Sequence, residues 1–230
     1  MRRLSSFIVF LILVINVIES CTNYNSRDSF HDNVVAALNY EKKGNYKEAL
    51  DKINSAIEID SSKSFAFVVR GKIRANLDDD LLAIEDFSHA IILNPKNTSA
   101  YFQKGISFSL LNKEDSAIAY FNYAIDTKKS GDFTFDIKNQ EFLDLDEQTD
   151  VDMAILLFYR GLSFYESKKD SLALNDFNYS LNHGYSIGES QFYIGVILIS
   201  QKKSEGCIYL KKAIENGNKD AGNYFNNYCK

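Results

Sequence analysis

The sequence predicts an all-α protein: a solenoid of about five stacked helix pairs closed by a C-terminal capping helix. Three observations carry that expectation. The first is a recurrence at a step of 34. Gly71, Ala83, Phe87 and Ala90 return one step later as Gly105, Ala117, Phe121 and Ala124, and one step earlier stand Ala37, Ala49, Ile53 and Ala56. The second is that the register survives an interruption. The set reappears as Gly161, Ala173, Phe177 and Ser180, a jump of 56, and Gly195 lies one further step beyond Gly161. Since 56 is 34 plus 22, a single insertion accounts for the offset. The third is the spacing inside a unit. Ala83, Phe87 and Ala90 stand at i, i+4 and i+7, one face of a helix. A fixed period of this size is the mark of a stacked array, in which each unit buries its apolar face against its neighbours.

Each unit reads as two helices joined by a turn. The turns are Gly44-Asn45, Asp78-Asp79-Asp80, Asn112-Lys113-Glu114 and Lys168-Lys169-Asp170. Glycine on the first helix and alanine at two places on the second let backbones approach where the pair crosses, and the phenylalanine fills the space between. Pro95, the only proline, falls where the second helix of a unit should stop. Unit one spans 30–63, with Asp32 or Asn33 as its expected N-cap, and unit two spans 64–97. Unit three spans 98–131 and opens on Thr98-Ser99, again capping chemistry. Unit four spans 154–187 and unit five 188–220. Their ends, His183-Gly184 and Asn216-Gly217, use glycine as a C-cap. The remainder, 221–230, is the expected capping helix, polar on its outer face.

These residues resemble the tetratricopeptide repeat (TPR) family. Unit two matches its pattern with Phe67, Gly71, Ala83, Phe87, Ala90 and Pro95, and unit three with Tyr101, Gly105, Phe108, Ala117, Phe121 and Ala124. Unit one keeps Tyr40, Ala49 and Ala56. Unit four keeps Gly161, Phe164, Ala173 and Phe177. Unit five keeps Gly195 and Ala213 with a turn one residue shorter. The resemblance covers about three quarters of the chain, and implies a right-handed α-solenoid whose first helices line a concave groove. Carried onto this chain, it puts Val34, Leu38, Phe65, Val68, Phe102, Ile106, Phe158, Leu162, Tyr165, Phe192 and Val196 along that groove, a row suited to an apolar peptide or helix. About half of them are expected to pack on the neighbouring unit instead. The subclass that clamps a terminal carboxylate needs lysine and asparagine where this chain has Val34 and Leu38, so no such clamp is expected.

The first residues belong to a different kind of sequence. Arg2-Arg3 is a basic start, and Phe7 to Ile18 is an apolar run of twelve. That is short of the roughly 20 residues a membrane helix needs and suits the core of a secretory signal, 1–20. Ile18-Glu19-Ser20-Cys21 resembles a bacterial lipobox, which implies lipidation of Cys21. Two or more acyl chains would hold the mature chain stably on a membrane. Residues 21–29 would be a short polar tether. The expectation is a lipid anchor in the bacterial cell envelope, on the inner or outer membrane, facing periplasm or outside.

Composition narrows the function. Net charge is −5, with 26 basic residues scattered along the chain and no basic stripe, so nucleic acid is not an expected partner. His31, His89 and His183 fall at unrelated repeat positions, without cysteine or carboxylate at metal spacing. No phosphate loop or nucleophile elbow is present. The insertion, 132–153, is acidic and carries Asp144, Asp146, Asp150 and Asp152. A calcium loop would need glycine where Thr149 stands, so a solvated acidic loop folded on the array is expected. No metal, cofactor, catalytic residue or small-molecule substrate is expected. Cys207 and Cys229 are read as two separate, partly buried thiols, with a disulfide as the alternative, open to an exported chain. The functional expectation is a non-catalytic scaffold holding a protein or peptide. Alternatives are an assembly factor for outer-membrane or secretion machinery, and a metal-binding or enzymatic protein working through the insertion.

Overall fold

A computed structural model describes residues 29–130 and 151–229. The signal segment, Cys21, most of the tether and most of the acidic insertion lie outside the described residues. Eleven helices appear among those described, and no strand. They are α1 (29–42), α2 (Tyr46–Ile59), α3 (Ser64–Ala75), α4 (Asp80–Leu93), α5 (Thr98–Leu110), α6 (Glu114–Ser130), α7 (Met153–Glu166), α8 (Asp170–Asn182), α9 (Ile187–Ser200), α10 (Glu205–Glu215) and α11 (Ala221–Tyr228). From α2 on, each helix packs on the next. Contacts that skip a helix join first helices, α3 to α5 and α5 to α7, and α9 meets α11. That closeness puts the first helices on the inner curve. The fold is an all-α solenoid of five helix pairs, with α11 as the cap.

The recurring residues are its spine. Ala49, Ala83, Ala117 and Ala173 are fully buried on the second helices, as are Ala56, Ala90, Ala124, Ser180 and Ala213. Between them sit Ile53, Phe87, Phe121, Phe177 and Leu210, also fully buried. The glycine of each first helix leaves room for the ring. A Cβ on Gly71 would lie 2.5 Å from the Phe87 ring, on Gly105 2.7 Å from Phe121, and on Gly161 3.0 Å from Phe177. Unit five solves the crossing differently. Gly195 and Gly206 face each other backbone to backbone, and a Cβ on Gly206 would meet the Gly195 carbonyl at 2.7 Å. The smaller Leu210 then replaces the ring. This is why unit five departs from the pattern of the others.

The turn inside each unit has the same geometry from repeat to repeat. Gly44, Asp78, Asn112, Lys168 and Lys202 occupy the same place at the step of the repeat, and all have left-handed backbone, φ between 55° and 76°. Only Gly44 adopts it without a Cβ penalty. Lys202→Gly is therefore expected to stabilise the fold by about 0.5 kcal/mol, the relief of left-handed strain less the entropy of a freer unfolded chain. Thermal unfolding of the variant beside the parent checks this. Gly184 and Gly217 are left-handed too, at φ 76° and 83°, and end α8 and α10 as glycine C-caps.

Two helix starts differ from the sequence reading. Helix α1 is already formed at residue 29, so Asp32 and Asn33 lie inside it, and Asn33 donates its amide to the Ser29 carbonyl. Unit three is capped by Asn97, not by Thr98 or Ser99. The Asn97 side chain accepts the Ala100 N–H at 2.9 Å and donates to Ser64 Oγ at 2.8 Å. Ser64 in turn donates to the Ala90 carbonyl. Asn97 is fully buried, so one residue caps α5 and ties it to unit two. Asp152, read as part of the acidic loop, is the N-cap of α7 and accepts the Ala154 N–H at 2.7 Å.

A polar ladder crosses the array. Arg70 on α3 reaches Asp86 on its own unit's second helix at 2.7 Å and Asn54 of the preceding unit at 3.1 Å. Arg160 on α7 repeats this with Asp176 at 2.8 Å and Asn122 at 2.7 Å. Lys104 on α5, between them, donates to Ser88 at 2.8 Å and lies 4.4 Å from the centre of the Tyr120 ring. Within a unit the partner follows its cation at the same interval each time, as Asp86 follows Arg70, Tyr120 follows Lys104 and Asp176 follows Arg160. Each rung thus joins one unit to the one before it, and its cation is satisfied by that neighbour together with the second helix of its own unit. Burial pushes the Asp176 carboxyl above the ordinary aspartate value while Arg160 pulls it down, and burial wins.

Candidate protein-binding face

The inner curve carries two kinds of residue. Of the eleven positions placed there by resemblance, Val34, Phe65, Val68, Phe102, Phe158 and Val196 are buried in the cores between units. They offer a partner little surface while the array is folded. The reason is geometric: first helices touch one another, so a side chain on the inner face that leans along the stack is covered by the next first helix. Phe102 packs edge-on to Tyr159, and Phe158 to Tyr185. The other five, Leu38, Ile106, Leu162, Tyr165 and Phe192, are half-buried and keep a solvent-facing side. Ile155, at the repeat place of Phe65, and Ile199, at that of Tyr165, share the half-buried state. The sequence reading does not include these two, although the same step reaches both.

The face is not uniform. At its N-terminal end Lys72 of unit two pairs with Glu41 of unit one at 3.6 Å, so charge interrupts the apolar row. From Ile106 onward the row is apolar and aromatic. Tyr165 meets Tyr193 edge-on at 5.1 Å, and burial pushes both phenols above the ordinary tyrosine value. Both rings are therefore neutral at physiological pH. Lys168 stands over the Tyr165 ring at 5.4 Å. The row ends where Tyr224 of α11 packs edge-on against Phe192.

Two of the histidines have structural partners. His89 stacks on Phe67, and His183 stacks on Tyr179 while its ring nitrogen bonds the Tyr179 carbonyl. Cys207 and Cys229 are not separate thiols. They form a disulfide between α10 and the end of α11, their Cα atoms 5.6 Å apart.

No family model matches the sequence, and no curated protein matches it. Solved structures do. PilW, described as a widely conserved type IV pilus biogenesis factor, superposes with a TM-score of 0.64 at 18% identity, over 85% of this chain and 90% of that one. MamA from Desulfovibrio magneticus RS-1 gives 0.65 at 13% identity, over 82% and 94%. YrrB, described as a TPR protein with an unusual peptide-binding site, gives 0.59 at 16% identity, over 81% and 86%. The fold of this chain is that of a TPR solenoid, and its inner curve carries half-buried apolar side chains on successive first helices.

Proposed function

We propose that the chain is a lipoprotein of the bacterial cell envelope, tethered through Cys21, that holds a protein or peptide on its inner curve and catalyses nothing. One observation carries the reading. Ile106, Leu162 and Tyr165 lie on adjacent first helices, and the array itself leaves each of these apolar side chains half covered. Such a surface recovers free energy when an amphipathic or extended apolar segment covers it. The likeness to YrrB supports a peptide as occupant. The disulfide supports an oxidising compartment, since thiols of the bacterial cytosol are kept reduced. A second reading, an assembly factor for outer-membrane or secretion machinery, draws on the likeness to PilW, and differs from the first only in what the partner builds.

Two variants test the proposal. Cys21→Ser is expected to move the chain from membrane to soluble fraction and to abolish incorporation of labelled fatty acid. Ile106→Lys with Leu162→Lys is expected to weaken partner capture at least tenfold with little loss of helix content, because both side chains are half exposed. Unchanged capture by the double variant rules out the inner curve as the binding surface.

A further inference from the structure

We infer that the Cys207–Cys229 disulfide is a thiol-exchange site, and that a dithiol oxidoreductase opens it to release α11 from the C-terminal end of the binding face. The inference rests on the envelope reading for its setting, and its chemistry stands on the structure.

Three features converge. The bond is reachable. Both cysteines are half-buried and line an open concavity of about 500 Å³, together with Lys202, Lys203, Phe225 and Tyr228. An incoming thiolate therefore has room to approach along the bond. The two sulfurs are also electrostatically unequal. Cys207 stands in the first turn of α10, the positive end of that helix, with Lys202 and Lys203 on the loop before it, two cations against the one carboxylate, Glu205, in the same turn. Cys229 is the C-cap of α11, at the negative end, and its N–H donates to the Phe225 carbonyl. Helix N-termini and nearby lysines favour a thiolate, so Cys207 is the better leaving group. The lower-pKa thiol leaves faster, and attack goes to the other sulfur. Lastly, the bond holds something that would not hold itself. Helix α11 has eight residues, fewer than the roughly 12 that an isolated helix needs to be even marginal. Its apolar hold is Ala221, Tyr224 and Phe225 against α9 and α10.

A thiolate of the oxidoreductase attacks Cys229 Sγ, and the electron pair of the disulfide leaves on Cys207 Sγ, which takes a proton from water. The second thiolate of the oxidoreductase then attacks its own sulfur in the mixed disulfide and expels the Cys229 thiolate, which is protonated in turn. Two electrons and two protons pass from the dithiol to the cystine, and the oxidoreductase is left as its disulfide. Once free, α11 withdraws Tyr224 from Phe192 and uncovers Phe192 and Val196. The apolar row then extends through unit five.

The test uses the full chain carrying Cys21→Ser, so that Cys207 and Cys229 are the only cysteines. The oxidised protein is treated with limiting glutathione, quenched with iodoacetamide and mapped by mass spectrometry. The expected result is glutathione on Cys229 and carbamidomethyl on Cys207, in at least tenfold excess over the reverse. Lys202→Gln with Lys203→Gln should slow the reaction about fivefold. After full reduction by dithiothreitol, amides of α11 should exchange at least tenfold faster while those of α7 and α8 are unchanged. Glutathione on Cys207, equal labelling, or an unchanged α11 overturns the inference. Because every arm uses purified protein, these outcomes are independent of where the chain resides. Failure of Cys21→Ser to leave the membrane would count against the envelope reading alone.

Discussion

Phe121→Ala is expected to destabilise the fold by about 3–5 kcal/mol, the range for removing a fully buried ring. The ring has no exposed surface. It fills the crossing of α5 and α6 above Gly105, stands 5.9 Å from the Phe102 ring, and shares its cluster with Leu156 of unit four. Removing it therefore weakens unit three and its junction with unit four together. In a linear array, stability is a sum of unit and junction contributions. The loss should then appear as an earlier urea midpoint and as separation of one transition into two. Circular dichroism during urea titration measures both. Leu82→Ala, at a residue 42% exposed, serves as control and should stay within about 0.5 kcal/mol of the parent. A second substitution sharpens the reading. Gly105→Ala alone forces a methyl against the Phe121 ring, where the gap is 2.7 Å. In the presence of Phe121→Ala that methyl enters the vacated space, so the double variant should be more stable than the two single losses summed.

Arg160→Met is expected to cost about 3 kcal/mol, the lower end for breaking a buried ion pair, because the guanidinium retains some contact with water. It strands the Asp176 carboxylate, whose side chain is 7% exposed, and also cuts the bond to Asn122 of the preceding unit. The loss depends on pH. Burial already holds the Asp176 carboxyl above its ordinary 3.8, and without the guanidinium nothing opposes it. The folded variant then binds the proton more readily than the unfolded chain does. The contribution of this one group to stability is fully present below that ordinary value and is lost as pH rises through the raised one. The deficit relative to the parent should shrink as pH falls from 7 toward 4. Adding Asp176→Leu to Arg160→Met removes the stranded charge, and should recover most of the loss at neutral pH. Chemical denaturation of the parent and the two variants at pH 7 and pH 4 gives the comparison.

The spine is legible because its chemistry is exclusive. A Cβ would collide with the Phe87 and Phe121 rings and press tightly on that of Phe177, and only a small residue fits at the fully buried Ala83 or Ala117, so the step of 34 shows through an otherwise varied sequence. The ladder is legible in principle. Arg70, Lys104 and Arg160 keep that same register, allowing for the insertion. A charged residue on a helix ordinarily reads as solvated, and nothing in the period alone says that a carboxylate on the following helix has come beside it. The inner curve is legible only by position. The same repeat place is half open at Ile106 and buried at Val196, because cover depends on the bulk of the next first helix. The disulfide is hidden for a similar reason: the distance from Cys207 to Cys229 is set by how α11 folds back on unit five, which no local spacing encodes.

Photo-crosslinking in living cells can show whether a partner sits on the inner curve. A photoreactive benzoyl-phenylalanine is placed singly at Ile106 or Leu162 on the inner curve, and at Leu81 or Ile92 on α4, which are 71% and 76% exposed. One discrete adduct band is expected from both inner positions and none from either outer position. Adducts formed from Leu81 and Ile92 with none from Ile106 and Leu162 would contradict binding on the inner curve.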